Sequence, residues 1–212
     1  MKRVKKEDKE KFMERIKRAE NEEYETSWSE KGIPEQKKKS EIKKGKKSKG
    51  SGARFELKVR RDLESKGRIV DKWNNNVGMY DSEGNEIIIK SVDKKIKYFL
   101  AKTKKEMKFE NIIFDKCVIA KKVFNPFKKI AVPGAGFPDF ISIKHVYEGM
   151  YSVIGVEAKM NGILSKTEKE KCAWYLQNKI FSEIWIAKKG EKRGEIKYDD
   201  FLEKYGKKYN KP

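Results

Sequence analysis

The sequence predicts a mixed α/β fold, a central sheet flanked by helices, preceded by a charged N-terminal extension. Two observations lead there. From residue 51 onward, helical and strand-like periodicities follow one another in the order helix, strands, helix, strand, the pattern of a sheet covered by helices. Before residue 51 the composition is too polar for a core: residues 35–52 are mostly Lys, Ser and Gly, with Ile42 as their single apolar side chain. Of the 212 residues, 41% are charged and only 37% hydrophobic, so only part of the chain supplies a core. The expected division is an extension over residues 1–50 and a domain over residues 51–212, with an insertion at about 74–130.

The elements are expected in the following order. Phe12, Ile16 and Ala19 share one stripe of an amphipathic helix within residues 3–25. Residues 35–52 read as a linker or flexible arm. A helix runs from Ser51 to about Lys66, where Gly67 closes it; Phe55, Val59 and Leu63 face the core, and Glu56 sits at the edge of their stripe. A short strand, Arg68 to Trp73, follows. A turn at Asp81-Ser82-Glu83-Gly84-Asn85 makes a hairpin with Ile87-Ile88-Ile89 on its return strand. Ser91 begins a second helix whose face carries Ile96, Phe99, Leu100, Thr103 and Met107, and Ile112 to Val123 is a strand. Beyond the loop Val132 to Pro138, Asp139 to Ile143 and Met150 to Lys159 are strands. Ser165 and Glu168 form a capping box for a helix through about Phe181. Ile184 to Ala187 is the next strand, and Tyr198 to Tyr205 a last helix.

Charge indicates the partner. Lys and Arg number 53 and Asp and Glu 33, a formal net charge of +20. Residues 1–30 are balanced, with nine basic and nine acidic side chains, whereas residues 31–50 hold nine basic and two acidic ones. A surplus of this size in both the extension and the domain fits a polyanion, because neutralising phosphates releases counterions. Nucleic acid is the expected partner, with Lys43, Lys44, Lys46, Lys47, Lys49 and Arg54 as its candidate contacts; the resemblance given below implies that it is DNA. No uncharged stretch exceeds the nine residues Ile130 to Pro138, too few for a membrane span, and no apolar run follows the basic start. The expectation is a cytosolic protein with no membrane contact.

Histidine and cysteine usage narrows the chemistry. One histidine, His145, and two cysteines, Cys117 and Cys172, cannot form a four-ligand zinc site. His145 sits in the charged stretch Lys144-His145-Val146-Tyr147-Glu148 and reads as a strand-end residue near the surface. Hydrolytic chemistry here would fall to carboxylates and a hard metal. Asp139 opens one strand, and Glu157-Ala158-Lys159 close another. Residues two apart in a strand share a face, so Glu157 and Lys159 point together. If their strand pairs with that of Asp139, two carboxylates and a lysine meet at one sheet end, a set suited to Mg²⁺.

Asp139, Glu157-Ala158-Lys159 and Glu56 resemble the PD-(D/E)XK nuclease superfamily. Lys49-Gly50-Ser51-Gly52-Ala53-Arg54-Phe55-Glu56-Leu57 is similar to the start of archaeal Holliday junction resolvases. Phe137-Pro138-Asp139-Phe140-Ile141 and Val156-Glu157-Ala158-Lys159 resemble their two metal-binding strands. The likeness covers residues 49–74 and 130–190 and leaves out residues 1–48. It implies a restriction-endonuclease-like αβββαβ core and a Mg²⁺- or Mn²⁺-dependent endonuclease that hydrolyses DNA phosphodiesters, with junction resolution as a preference. The catalytic residues would be Glu56, Asp139, Glu157 and Lys159. The metal ligands would be Glu56, Asp139, Glu157 and the Ala158 carbonyl, with Glu168 behind them. A homodimer would match the two-fold symmetry of a junction. The alternative is a structure-specific DNA-binding protein whose nuclease-like fold does not cut.

Overall fold

The computed structural model describes residues 13, 14, 17, 24–28, 34–92, 95–120, 123–125, 130–132 and 136–209. The chain separates into two compact units, Met1–Arg54 and Phe55–Pro212.

The first unit contains an antiparallel hairpin of β1 (Tyr24–Trp28) and β2 (Pro34–Lys38), in which Tyr24 lies opposite Lys38 and Trp28 opposite Pro34. The helix expected over residues 3–25 falls mostly outside the described residues; Met13, Glu14 and Lys17 are helical. Helix α1 (Lys39–Ser65) starts twelve residues before the expected Ser51, so most of the segment read as a flexible arm is helical. Glycine misled the reading. Gly45, Gly50 and Gly52 each disfavour helix by about 1 kcal/mol relative to Ala. No proline occurs between Pro34 and Pro126 to stop it, and lysine is a good helix former.

In the second unit a five-stranded mixed sheet carries the architecture. Its strands are β3 (Ile69–Lys72), β11 (Phe140–Tyr147), β12 (Met150–Ala158), β13 (Glu183–Lys189) and β14 (Ile196–Asp200). Their spatial order is β14-β13-β12-β11-β3, with β12 and β13 parallel and the other pairs antiparallel. Between the parallel strands runs α2 (Lys166–Gln177), the crossover that a parallel pair requires. Ser165 caps it as expected: its Oγ accepts the Glu168 N–H, and the Glu168 carboxylate accepts the Ser165 N–H. Helix α2 ends at Gln177 rather than near Phe181. The final helix, α3 (Phe201–Tyr209), begins later than expected, because Tyr198 belongs to β14.

The sheet has two apolar faces. Phe55, Val59 and Leu63 of α1 pack with Val70, Phe140, Ile154, Val156 and Ala187 on one. Cys172, Ala173 and Tyr175 of α2 pack with Phe181, Ile184, Ile186 and Phe201 on the other. Strand alternation decides which residue goes where. Ile154 and Val156 of β12 point at α1, so Glu157 points to the α2 side.

The insertion differs most from expectation. The expected helix from Ser91 is instead β6 (Lys95–Leu100) and β7 (Glu106–Met107), paired with β5 (Ile87–Val92) in a three-stranded sheet. Ile96, Phe99 and Leu100 fit a helical face, but Ile87, Ile88 and Ile89 take Leu100, Phe99 and Tyr98 as cross-strand partners. β-branched and aromatic pairs of this kind favour a sheet. The turn at 81–85 forms as read, with Asp81 Oδ1 accepting the N–H groups of Glu83 and Asn85. Its flanking strands do not make one hairpin, however. Strand β4 (Asn75–Tyr80) pairs with β8 (Ile113–Ile119) instead, and a single isolated bridge, Tyr80–Glu86, links it to the return strand among the described residues. Short β9 (Val123–Asn125) and β10 (Ile130–Val132) pair with each other. His145 lies on exposed β11 backbone, edge-on to Tyr151 with ring centroids 5.3 Å apart, and both cysteines are free. Among the described residues no helix is long and apolar enough to cross a membrane.

The two faces of α1 give a test. Leu63 is fully buried, whereas Leu57 is 48% exposed. In urea unfolding, Leu63→Ala should lower stability by about 2–5 kcal/mol, and Leu57→Ala by no more than about 0.5 kcal/mol. Equal losses would mean that α1 does not use this face.

Candidate active site

Pairing of β11 with β12 sets Phe140 opposite Val156, which brings Asp139 beside Glu157 where the two strands end. The carboxylates are tied to each other's strands. The Asp139 N–H donates to Glu157 Oε2 at 3.1 Å, and the Ala158 N–H donates to Asp139 Oδ2 at 2.9 Å. Glu157 is buried at 4% exposure and Asp139 is partly buried. Just past the strand, the Lys159 N–H donates to the Ala187 carbonyl at 2.9 Å, which fixes the backbone from which the side chain returns. The Lys159 ammonium lies 3.0 Å from Glu157 Oε1 and 2.7 Å from Glu168 Oε1. Asp139, Glu157, Lys159 and Glu168 are therefore brought together, and they line one cleft of about 350 Å³.

Glu56 is held differently. Its carboxylate pairs with the Lys72 ammonium at 2.5 Å, and Lys72 in turn lies 4.3 Å from the centroid of the Phe140 ring. Its charge reaches Asp139, but it does not line the cleft. Among the described residues, no three His, Cys, Asp or Glu side chains converge closely enough to hold a metal together. The expected set of Glu56, Asp139 and Glu157 is thus divided into a close pair within the cleft and a residue outside it. Ala158 stands between Glu157 and Lys159 at the end of β12.

The electrostatics follow from burial. Burial raises the Glu157 carboxyl first, and the neighbouring Asp139 charge raises it further, to about 8, against the opposing pull of Lys159. Asp139 is raised too, by burial above all; the Ala158 N–H opposes this and Glu56 reinforces it. Burial would lower the Lys159 ammonium, but Glu157 and Glu168 outweigh it and hold the proton firmly. Glu168 is lowered despite its burial, by the hydrogen bonds from Lys159 and Ser165. Glu157, buried, and Asp139, partly buried, are oxygen donors of like charge that Lys159 neutralises only in part. Hard oxygen ligands deficient in cation suit Mg²⁺ or Mn²⁺, so the donor set fits such an ion.

Three cleft residues escaped the sequence reading. Lys171 of α2 is buried, donates to Asn76 Oδ1 at 2.7 Å and is lowered by burial. Its i+3 spacing from Glu168 places it on the same side of the helix, a usable signal in retrospect. Ile89 and Ile96 come from the insertion, and nothing in their local sequence points to a cleft. The insertion is fastened here by the Tyr98 hydroxyl, 2.7 Å from Thr167 Oγ1 at the start of α2. The candidate DNA contacts lie elsewhere. Lys43, Lys44, Lys46, Lys47 and Lys49 are in the part of α1 that belongs to the first unit, and Arg54 closes that unit. Helical spacing puts Lys43, Lys47 and Arg54 on one stripe with Lys39, within roughly 80°, and all four are exposed. The chain matches no protein-family model, no curated protein and no solved structure.

Because the Glu157 carboxyl is raised from 4.5 to about 8, the folded chain keeps a proton between those values that the unfolded chain has released. Stability in metal-free buffer should therefore be greatest below the lower value and fall as pH rises through the higher one. Glu157→Gln keeps the shape without the charge. In thermal melts with EDTA it should flatten this fall and melt above the wild type beyond about pH 8. Parallel melting curves would show that Glu157 does not hold this proton.

Proposed function

We propose that the protein is a Mg²⁺- or Mn²⁺-dependent DNA endonuclease on a restriction-endonuclease-like core of the PD-(D/E)XK type. One observation carries this reading: Asp139, Glu157 and Lys159 converge at the paired ends of two adjacent strands, with the two carboxylates kept close despite their like charge. A structural role gives no reason to keep such a pair buried. The chain order α1, β3, β11, β12, α2, β13 supports an αβββαβ core with residues 74–130 inserted before β11. The net charge of +20 supports a polyanionic substrate.

Asp139 and Glu157 would hold the metal, with the Ala158 carbonyl as the ligand that the resemblance adds. When bound, such an ion acidifies a coordinated water and offsets charge on the scissile phosphate. Lys159 stays protonated between Glu157 and Glu168, so its part is to orient the attacking water and stabilise developing negative charge, rather than to act as a base. In the hydrolysis, the water oxygen bonds to phosphorus and one P–O ester bond breaks. The departing oxygen takes up a proton and leaves as a hydroxyl. Glu56, held by Lys72, stands outside the cleft. That separation favours a second reading, a DNA-binding protein that does not cut, since it leaves two carboxylates rather than three at the centre.

Cleavage assays separate the two readings. With Mg²⁺ or Mn²⁺ and labelled four-way junction, duplex, flap and single-stranded DNA, the wild type should cut at least one substrate. Asp139→Ala and Glu157→Ala should each reduce the rate by a factor of at least about 100, with DNA affinity nearly unchanged. Lys159→Ala should lose activity and retain Mn²⁺ binding. Wild-type cleavage by either carboxylate variant would refute the site.

Mn²⁺ should also raise the melting temperature more above about pH 8, where Glu157 has lost its proton, than near pH 5. An equal rise at both values would place the ion elsewhere. On the helical stripe, replacing Lys43, Lys47 and Arg54 with Gln should weaken binding to every DNA by a similar factor. It should flatten the plot of log affinity against log salt by about 0.9 for each phosphate no longer neutralised. An unchanged slope would remove α1 from the DNA surface.

A further inference from the structure

The cleft that holds Asp139 and Glu157 does not end at α2. Ile89 and Lys171 line it, and the same two residues line a second groove of about 450 Å³. The two spaces therefore adjoin across a wall shared by Ile89 of the insertion and Lys171 of α2. The character changes along the way: the first is charged, whereas Val77, Met79, Ile87, Ile89 and Ile119 give the second mostly apolar walls. Ile87 is buried at 3%, but the other two isoleucines of the groove are exposed. Ile119 is 79% exposed and Ile89 40% exposed, and Ile96 on the cleft wall is 56% exposed. Single exposed isoleucines are ordinary, but Ile89, Ile96 and Ile119 exposed along two adjoining spaces, one of them charged, mark a binding surface.

Tyr80 and Lys171 complete its lining, and Lys116 stands beside it. The register of β4 shifts between Val77 and Met79, and Gly78 sits at that irregularity. A Cβ at Gly78 would come within 2.7 Å of the Tyr80 ring, so glycine is what lets the ring lie against the strand. The Lys116 ammonium stands 5.2 Å from the centroid of that ring. Apolar walls, an aromatic ring and lysines are what an unstacked nucleobase and its phosphate require.

We propose that this trough receives the bases of an unpaired strand next to the scissile phosphate, so that the substrate class is single-stranded or forked DNA rather than intact duplex. The inference rests on the nuclease reading of the cleft. In a duplex the bases are stacked inward and the backbone faces the enzyme, which leaves an apolar trough beside the carboxylates with nothing to cover. An unpaired strand presents both parts at once: its phosphate enters the charged cleft and its base faces lie against Ile89, Ile119 and Tyr80. The groove's own charged residues, Glu86 and Lys171, balance, so it is the net charge of +20 over the whole chain that favours a polyanion over an apolar peptide as the occupant. The insertion then serves to read strand pairing.

The test uses the full chain in EDTA, where binding is read without cleavage. Fluorescence anisotropy compares a single strand, a forked duplex and a full duplex of equal length, and 2-aminopurine placed in the unpaired segment reports base contact. The wild type should bind the unpaired forms at least about tenfold more tightly than duplex and change the 2-aminopurine signal. The double variant Ile89→Ser with Ile119→Ser should bring the ratio toward one and abolish that signal. Ile119→Trp, at a largely exposed position, should raise the ratio. Equal wild-type affinities for all three DNAs, or a ratio that survives the double variant, would overturn the proposal. So would disappearance of a self-association, seen by sedimentation, in place of a fall in discrimination; the groove would then be an interface between copies. Failure of the nuclease reading looks different: discrimination that depends on Ile89 and Ile119 but no cleavage with Mg²⁺ or Mn²⁺. Cleavage of duplex and single strand at equal rates, indifferent to these variants, would retain the nuclease and remove the trough.

Discussion

Asp139 and Glu157 each accept a backbone N–H from the other's strand, and this reciprocal pairing organises the end of the sheet. It exists because β11 and β12 pair with Phe140 opposite Val156. A slip of one residue would turn Glu157 toward the α1 core, where Ile154 and Val156 now sit. The same register therefore fixes the apolar core on one face and the carboxylates on the other. The cost is two like charges partly or fully removed from water, and the raised Glu157 carboxyl records it. Lys159 offsets part of that cost, and Glu168, itself fixed by the capping box of α2, holds Lys159 in place.

The surrounding elements follow from this arrangement. Helix α2 covers the carboxylate face and supplies Cys172, Ala173 and Tyr175 to its core, with Glu168 and Lys171 at the cleft. Helix α1 covers the opposite face through Phe55, Val59 and Leu63 and carries Glu56, which Lys72 holds outside the cleft. The insertion, fastened at Thr167 by Tyr98, makes the remaining wall. The site is thus charged where the main sheet ends and apolar where the insertion begins, the contrast from which a preference for unpaired DNA is inferred.

Local pattern carried part of this. The stripe Phe55, Val59, Leu63 faces the core as its 3.6-residue spacing requires, and Ser165 with Glu168 forms the reciprocal cap that the spacing predicts. The strands opening at Asp139 and closing at Lys159 lie where the alternation placed them. The two misreadings have different causes. Ile96, Phe99 and Leu100 satisfy a helical stripe and a strand equally well, and only their partners Ile87, Ile88 and Ile89 decide between them. Lysine-rich residues 39–50 read as a linker because helix and coil there differ by little, and glycine tipped the reading toward coil.

By itself the sequence determined the charge balance, the α/β class, the helix faces and caps, and the candidates Asp139, Glu157 and Lys159. These depend on composition and on spacings of a few residues, which short-range geometry turns into faces. Tertiary structure alone decided that Glu56 pairs with Lys72 rather than joining the carboxylate pair, that Lys171 reaches Asn76, and that Ile89 and Ile96 wall the cleft. Each of these contacts joins segments far apart along the chain, and their partners are selected by strand register and sheet packing, which no local periodicity encodes.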